Sequence, residues 1–225
     1  LVMWTGGHVV SDRITRTEAE QRAVATGGRA PLLWDNTPVN DALMSEALHL
    51  GPYSGRDSDL REVVSGVLIN PMQFERASMP TLCSALAWCA GRDPLAAWNS
   101  YVDDHGLRAL AEATAFPDDE HWPGARPSTA WWTAVAQLAN TDPSIEPWAS
   151  TAREGASLVL RADALANDPP ADPQHRAMAI IGLSMAWRSW RRSTHLVFGS
   201  GPRIRPVLTN DSSGRFVWNR ASFQD

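Results

Sequence analysis

Leu32-Leu33-Trp34-Asp35-Asn36-Thr37-Pro38-Val39-Asn40-Asp41 sets a short apolar run directly against a cluster of Trp, Asp and Asn, followed by a proline turn and a second Asn-Asp pair. With the residues before it, Ala30 to Trp34 (APLLW) reads as a buried strand. In a parallel barrel, residues just past the C-terminal strand ends face the active site, so side chains in this cluster are placed to meet a ligand. Asp accepts hydrogen bonds from two hydroxyls, Asn both donates and accepts, and Trp offers an apolar face, a set suited to a polyhydroxylated molecule. The same residues also fit an Asx-rich turn that caps a following helix, and the segment alone leaves both readings open.

The flanking sequence repeats the strand pattern. Leu1 to Trp4 (LVMW) reads as a strand ending at Thr5-Gly6-Gly7, and Gly66 to Ile69 (GVLI) as another, stopped by Asn70-Pro71. Thr15 to Ala25 (TRTEAEQRAVA) has helix-forming composition, acids in its first turn and a Gly27-Gly28 stop. Asp59 to Ser65 reads as a short helix. Apolar strands that are continuous rather than alternating, separated by helices, predict a parallel sheet covered on both faces. Three such units cannot close a barrel, since a (β/α)8 barrel takes about 250 residues. The opening LVMW begins where a strand begins, as a truncated chain would, and the expectation is that about five units of the eight lie upstream.

Beyond Asp93 the pattern becomes helical: Pro94 to Asp104, Leu107 to Thr114, Pro127 to Ala139, Ile145 to Leu165 and Pro173 to Trp190, separated by Pro- and Asp-rich breaks. IRPVL and RFVW around TNDSSG resemble a hairpin. The predicted fold is therefore α/β: the C-terminal portion of a (β/α)8 TIM barrel over residues 1–92, an α-helical bundle domain over 93–198, and a tail with a possible β-hairpin over 199–225.

Composition narrows the function. The chain has 225 residues, 44% of them hydrophobic, which suits a globular protein with a sizeable core. A net charge of -5 without a basic stripe speaks against a nucleic-acid partner. No apolar run approaches the roughly 18 residues that span a bilayer, so no membrane partner is expected. The chain holds no Lys; its basic side chains are Arg. Its two cysteines, Cys83 and Cys89, lie in the apolar segment TLCSALAWCA and are expected to be buried thiols.

Four segments, WTGGHVVSDRIT, LLWDNTPVND, LGPYSGRDSDL and GVLINPMQFERASMPTL, in this order, resemble glycoside hydrolase family 84, the bacterial β-N-acetylglucosaminidases and O-GlcNAcases. The resemblance covers roughly residues 1 to 105. It implies that Asp41, assisted by Asn70, binds hydroxyls at the far edge of an N-acetylglucosamine ring. By the same resemblance Asn36 helps to orient the acetamido group and the nearby catalytic carboxylate, Trp34 forms pocket wall, and Trp4-Thr5-Gly6 line the rim. Thr37, where an aromatic is common in bacterial members, and Ala42, where a Tyr often follows the Asp, depart from the pattern and alter the expected wall. The family mechanism is retaining and substrate-assisted, through an oxazoline, with an adjacent pair of aspartates steering the acetamido group and exchanging the proton. That pair follows an earlier strand, so no catalytic residue is expected in this chain, and the fragment alone is expected to be inactive. The implied partner is a glycan or glycoprotein bearing N-acetylglucosamine, with no cofactor and no metal. The alternative is a non-catalytic glycan-binding relative of the same fold.

The remaining candidates read as structural. Asp103-Asp104 ends a helical segment and Asp118-Asp119 sits in a Pro-rich loop; neither follows a barrel-like strand. His121, beside the second pair, suits a solvated loop better than a metal site, and the six histidines show no zinc spacing. Trp131-Trp132 and Trp187/Trp190 fall within helical patterns, where aromatics are usually core rather than sugar platforms. Arg188, Arg191 and Arg192 read as a solvated helix end. The loop Leu50 to Arg56 (LGPYSGR) is a tight turn without the spacing or the Lys of a phosphate-binding loop.

Overall fold

In this computed structural model the described residues are 1–41, 45–114, 127–139, 142–195 and 197–198, with 207–210 and 216–219 as backbone. Asp118-Asp119, His121 and Ala42 lie outside them. The chain forms two compact units, one of Leu1–Ser45 with His49–Arg108, the other of Glu46–Leu48 with Ala109–Asp225.

The first unit is built on a parallel sheet of β1 (Met3–Trp4), β2 (Leu32–Asp35) and β3 (Gly66–Ile69) in the order β1-β2-β3, with Leu33 aligned on Trp4 and on Val67. Parallel neighbours require a crossover, and α1 (Arg16–Ala25) supplies it between β1 and β2. Thr15 starts α1 with a capping box: its hydroxyl accepts from the Glu18 amide, and the Glu18 carboxylate accepts from the Thr15 amide at 2.8 Å. Gly27 and Gly28, at φ 74 and 78, end it, and the Gly28 amide returns to the Ala23 carbonyl. Between β2 and β3 the predicted helix over 59–65 is only a 3-10 turn, Leu60–Glu62. The Ser65 amide already donates to the Pro31 carbonyl at 2.8 Å, so the chain joins the sheet before a second helical turn can form.

After β3 come α2 (Glu75–Cys89) and α3 (Pro94–Asp104), which pack on each other. The sequence reading assigns no element to α2. Pro80 lies inside it, where a proline removes one backbone bond and costs about 3 kcal/mol, so composition alone argues against a helix there. Its buried face (Ala77, Thr81, Ser84, Ala85, Trp88) compensates by packing against the rest of the unit. The helix phase corrects a second expectation: Cys83 is half-buried and Cys89 exposed, because both point away from that face.

Side chains alternate across β2. Leu33 faces the core with Ile14, Ala19, Tyr53, Leu60, Ala85 and Trp88. The opposite face of the sheet exposes Met3, Trp34 at 39% and Leu68 at 47%, so among the described residues the cover expected on both faces is present on one. The reason is the alternation itself: every second apolar residue points to a side where no described layer lies.

The second unit is helical. After α4 (Arg108–Thr114), which begins at the boundary, come α5 (Thr129–Ala136), α6 (Glu146–Asn167) and α7 (Pro173–Trp190), with α6 packing on both α5 and α7. Strands β4 (Val207–Asn210) and β5 (Phe216–Asn219) pair antiparallel, and β5 lies against α6. Trp132, Trp187 and Trp190 are buried as their helical spacing predicts, and so is Trp148, whereas Trp131 is only half-buried and donates its indole N–H to Glu112 Oε2 at 2.8 Å. Gly155 on α6 lets the core close: a Cβ there would lie 2.7 Å from Trp190 Cζ2 and 2.8 Å from Phe198 Cε2. No helix among the described residues is long and apolar enough to cross a membrane.

Candidate functional site

The C-terminal ends of β2 and β3 bring three of the four residues singled out from sequence into one hydrogen-bonded set. The Trp34 indole N–H and Asn70 Nδ2 both donate to Asn36 Oδ1, each at 2.9 Å. Asn36 Nδ2 in turn donates to the Val9 carbonyl at 2.6 Å, in the loop between β1 and α1. The parallel register explains the convergence: Asp35 aligns on Ile69, so Asn36 and Asn70 are the first residues beyond two neighbouring strands. The backbone continues the ladder one step, the Asn70 amide donating to the Asp35 carbonyl at 2.8 Å. Asp41 stands exposed past the strand end, outside the bonds that join the other three. Trp34 also borders an open groove of about 390 Å³ with Met3, Trp4, Thr5, Gly6 and Arg22.

The loop leading to Val9 is shaped by Ser11. Its hydroxyl accepts from the His8 amide at 3.0 Å and lies 3.1 Å from the Thr5 and His8 carbonyls. Gly6, at φ 93, is required for this approach, since a Cβ would come within 2.4 Å of Ser11 Oγ.

On the core side of the same strand end, Asp35, which the sequence reading sets beside Trp34 and Asn36 as a candidate acceptor for ligand hydroxyls, is buried in an ion pair and turned away from that set. Asp35 is 1% exposed and Arg56 3%, and they form a two-point ion pair, Arg56 Nη2 to Oδ1 at 2.6 Å and Nε to Oδ2 at 2.8 Å. The Tyr53 hydroxyl donates to Oδ2 at 2.6 Å. Arg56 further donates to the Ser11, Asp12 and Ser54 carbonyls and to the Thr37 hydroxyl. Burial pulls the guanidinium's pKa down, but the hydrogen bonds and charge of Asp35 outweigh this and hold it above its ordinary value. Burial, reinforced by the Asp35 charge, pushes the Tyr53 phenol well above the usual tyrosine range, so it acts as a neutral donor. A signal for this group is present in the sequence: an acid inside a strand that points to the core needs a cation, and Arg56 closes the Gly- and Pro-containing loop LGPYSGR between β2 and β3.

The acidic pair Asp103-Asp104 has other work. Arg108 holds Asp103 through two hydrogen bonds of 2.9 Å and keeps its carboxyl below the usual carboxylate range, and Asp104 accepts from Ser100 Oγ. Both are exposed at the end of α3. Among the described residues no group of three or more His, Cys, Asp or Glu could hold a metal ion.

A family model described as beta-N-acetylglucosaminidase matches residues 1–116, which include all three strands of the parallel sheet and the Trp34–Asn36–Asn70 set. The chain belongs to that family. The match is of the glycoside hydrolase family 84 type, the family whose motifs the sequence resembles. The rat (Rattus norvegicus) and mouse (Mus musculus) proteins named Protein O-GlcNAcase are each 43% identical over 75 residues, 33% of this chain and 8% of the relative. A mutant of the Thermobaculum terrenum O-GlcNAc hydrolase has a similar fold, with a TM-score of 0.71 at 22% identity, over 86% of this chain and 50% of that one. The chain thus corresponds to a small part of the curated relatives and to half of the structural match.

Proposed function

We propose that this chain supplies the last three strands of a (β/α)8 barrel (residues 1–92), followed by a helical bundle domain (93–198) and a tail (199–225), in a β-N-acetylglucosaminidase acting on glycans or glycoproteins. The observation that carries the reading is the convergence of Trp34, Asn36 and Asn70 at the ends of two parallel strands, inside the stretch matched by the family model. The uncovered sheet face with Trp34 and Leu68 supports the barrel, because parallel sheets are normally covered on both sides and that face would line a barrel interior.

In this reaction the acetamido oxygen of the sugar attacks the anomeric carbon, expelling the alcohol and closing an oxazoline that water then opens with net retention. Asn36, fixed by three hydrogen bonds, orients the acetamido group. Asp41, exposed to solvent, accepts hydrogen bonds from ring hydroxyls, Asn70 assists it, and Trp34 forms wall. The aspartate pair that moves the proton and steers the acetamide comes from a strand outside these 225 residues, and the reaction needs no cofactor.

The test is hydrolysis of an aryl β-N-acetylglucosaminide by the full-length protein. Cleavage with retention, weakened by Asp41→Ala through KM, is the expected result. Absence of both cleavage and N-acetylglucosamine binding would end the reading.

A further inference from the structure

We infer that Arg56 is a positioning residue for the sugar site: its guanidinium sets the orientation of the Asn36 amide from the far side of the strand. The inference rests on the function proposed above. Asn36 lies between Asp35 and Thr37, and Arg56 holds the side chains of both, at 2.6 and 2.8 Å for Asp35 and 3.1 Å for Thr37. The acceptor that turns the Asn36 amide is the Val9 carbonyl, two residues before Ser11, whose own carbonyl accepts from Arg56 Nη2 at 3.0 Å. The backbone that carries Asn36 and the loop that aims it are therefore tied to one cation.

Arg56 is itself fixed. The Ile14 amide donates to the Gly55 carbonyl at 2.9 Å and the Asp57 amide to the Ile14 carbonyl at 3.2 Å, so hydrogen bonds bracket the residue on both sides. Gly55, at φ 74, permits this approach, since a Cβ would lie 2.0 Å from the Asp12 carbonyl oxygen. A lysine cannot replace the fork: its single ammonium reaches fewer acceptors and cannot pair with both carboxylate oxygens while spanning two loops.

The experiment uses full-length protein and three variants, Arg56→Lys, Asn36→Ala and the double variant, assayed on an aryl β-N-acetylglucosaminide. With folding verified by near-UV circular dichroism, Arg56→Lys is expected to lower kcat/KM on the order of tenfold to a hundredfold, the scale of a misplaced active-site group. The double variant is expected to be no worse than Asn36→Ala, because the two act through one amide. Losses that multiply, or an Arg56→Lys enzyme with unchanged kcat/KM, would overturn the inference. If Arg56→Lys does not fold, Thr37→Val, which removes one guanidinium contact, enters the same cycle with the same expected non-additivity. Backbone hydrogen exchange separates the inference from the function it rests on. If wild-type protein neither cleaves nor binds N-acetylglucosamine, the proposed function fails. What is tested independently is the tie itself: Arg56→Lys is expected to accelerate exchange over residues 9–14 and 36–41 without accelerating it in α2, and unchanged exchange there would overturn the inference whatever the activity.

Discussion

Arg56 grips Asp35 at two points, Nη2 on Oδ1 at 2.6 Å and Nε on Oδ2 at 2.8 Å, with both side chains out of contact with water. Removing one member of a buried pair strands the other charge, which typically costs about 3–5 kcal/mol. Asp35→Asn is expected to destabilise the first unit by an amount in this range, since the amide keeps the shape and loses the charge. Urea denaturation of the wild type and the variant measures it. A change below about 1 kcal/mol would mean that the pair contributes no more than an exposed one.

Asn70→Ala tests the site without touching the core. The variant takes one of two donors from Asn36 Oδ1 while Trp34 keeps the other. Expected is a stability loss of about 0.5–1.5 kcal/mol, the net contribution of one ordinary hydrogen bond. The affinity of full-length protein for N-acetylglucosamine, read by titration calorimetry, should fall several-fold. Unchanged affinity would remove Asn70 from the proposed site.

Two glycines with nearly equal backbone angles should differ. Gly28, at φ 78, has nothing within 4 Å of the point where a Cβ would stand, whereas a Cβ on Gly55, at φ 74, would strike the Asp12 carbonyl at 2.0 Å. Gly28→Ala should cost only the left-handed penalty, about 1–2 kcal/mol. Gly55→Ala adds a collision with backbone and should cost clearly more. Melting temperatures of the two variants decide it, and equal shifts would refute the contrast.

In the helical unit, Gly155→Ala sets helix propensity against space. Alanine gains up to about 1 kcal/mol over glycine in a helix. The 2.7 Å approach to Trp190 Cζ2 instead forces repacking, which typically costs about 1–3 kcal/mol. The steric term should win, and a raised melting temperature would show that the aromatic cluster yields.

His49 gives a pH dependence. Burial lowers its imidazole below the ordinary value of 6.5, so the unfolded chain takes up the proton first. Stability should be level above pH 6.5 and fall as the pH drops below it, down to the folded-state value. His49→Gln should flatten that part of the profile in thermal melts taken between about pH 5 and pH 7, values that bracket the histidine range.

The sequence is most legible where punctuation and periodicity agree. α3 and α7 begin at the expected residues because Asp93-Pro94 and Asp172-Pro173 pair a capping carboxylate with a proline at the first helical position. β3 runs over the expected Gly66–Ile69, bounded by Asn70-Pro71. α2 is illegible because Pro80 contradicts a helix that only tertiary packing sustains. In the candidate site, the polar residues that end each strand stand out in the sequence. Of the Asp35–Arg56 pair the sequence shows the two halves, an acid ending a strand and an arginine closing a loop, but not the pairing, which depends on which way one side chain points and on a partner brought close by folding.

The Asn36 amide has a consequence for selectivity. Its oxygen already receives Trp34 and Asn70, filling both lone pairs, and one of its two amide hydrogens goes to Val9. What remains is a single donor with no capacity to accept. A sugar presenting a carbonyl at that point can bond to it, whereas a free ammonium offers only hydrogens to a group that cannot take them. Under the function proposed above, such a site would distinguish an N-acetylated sugar from its deacetylated amine by hydrogen-bond polarity rather than by size.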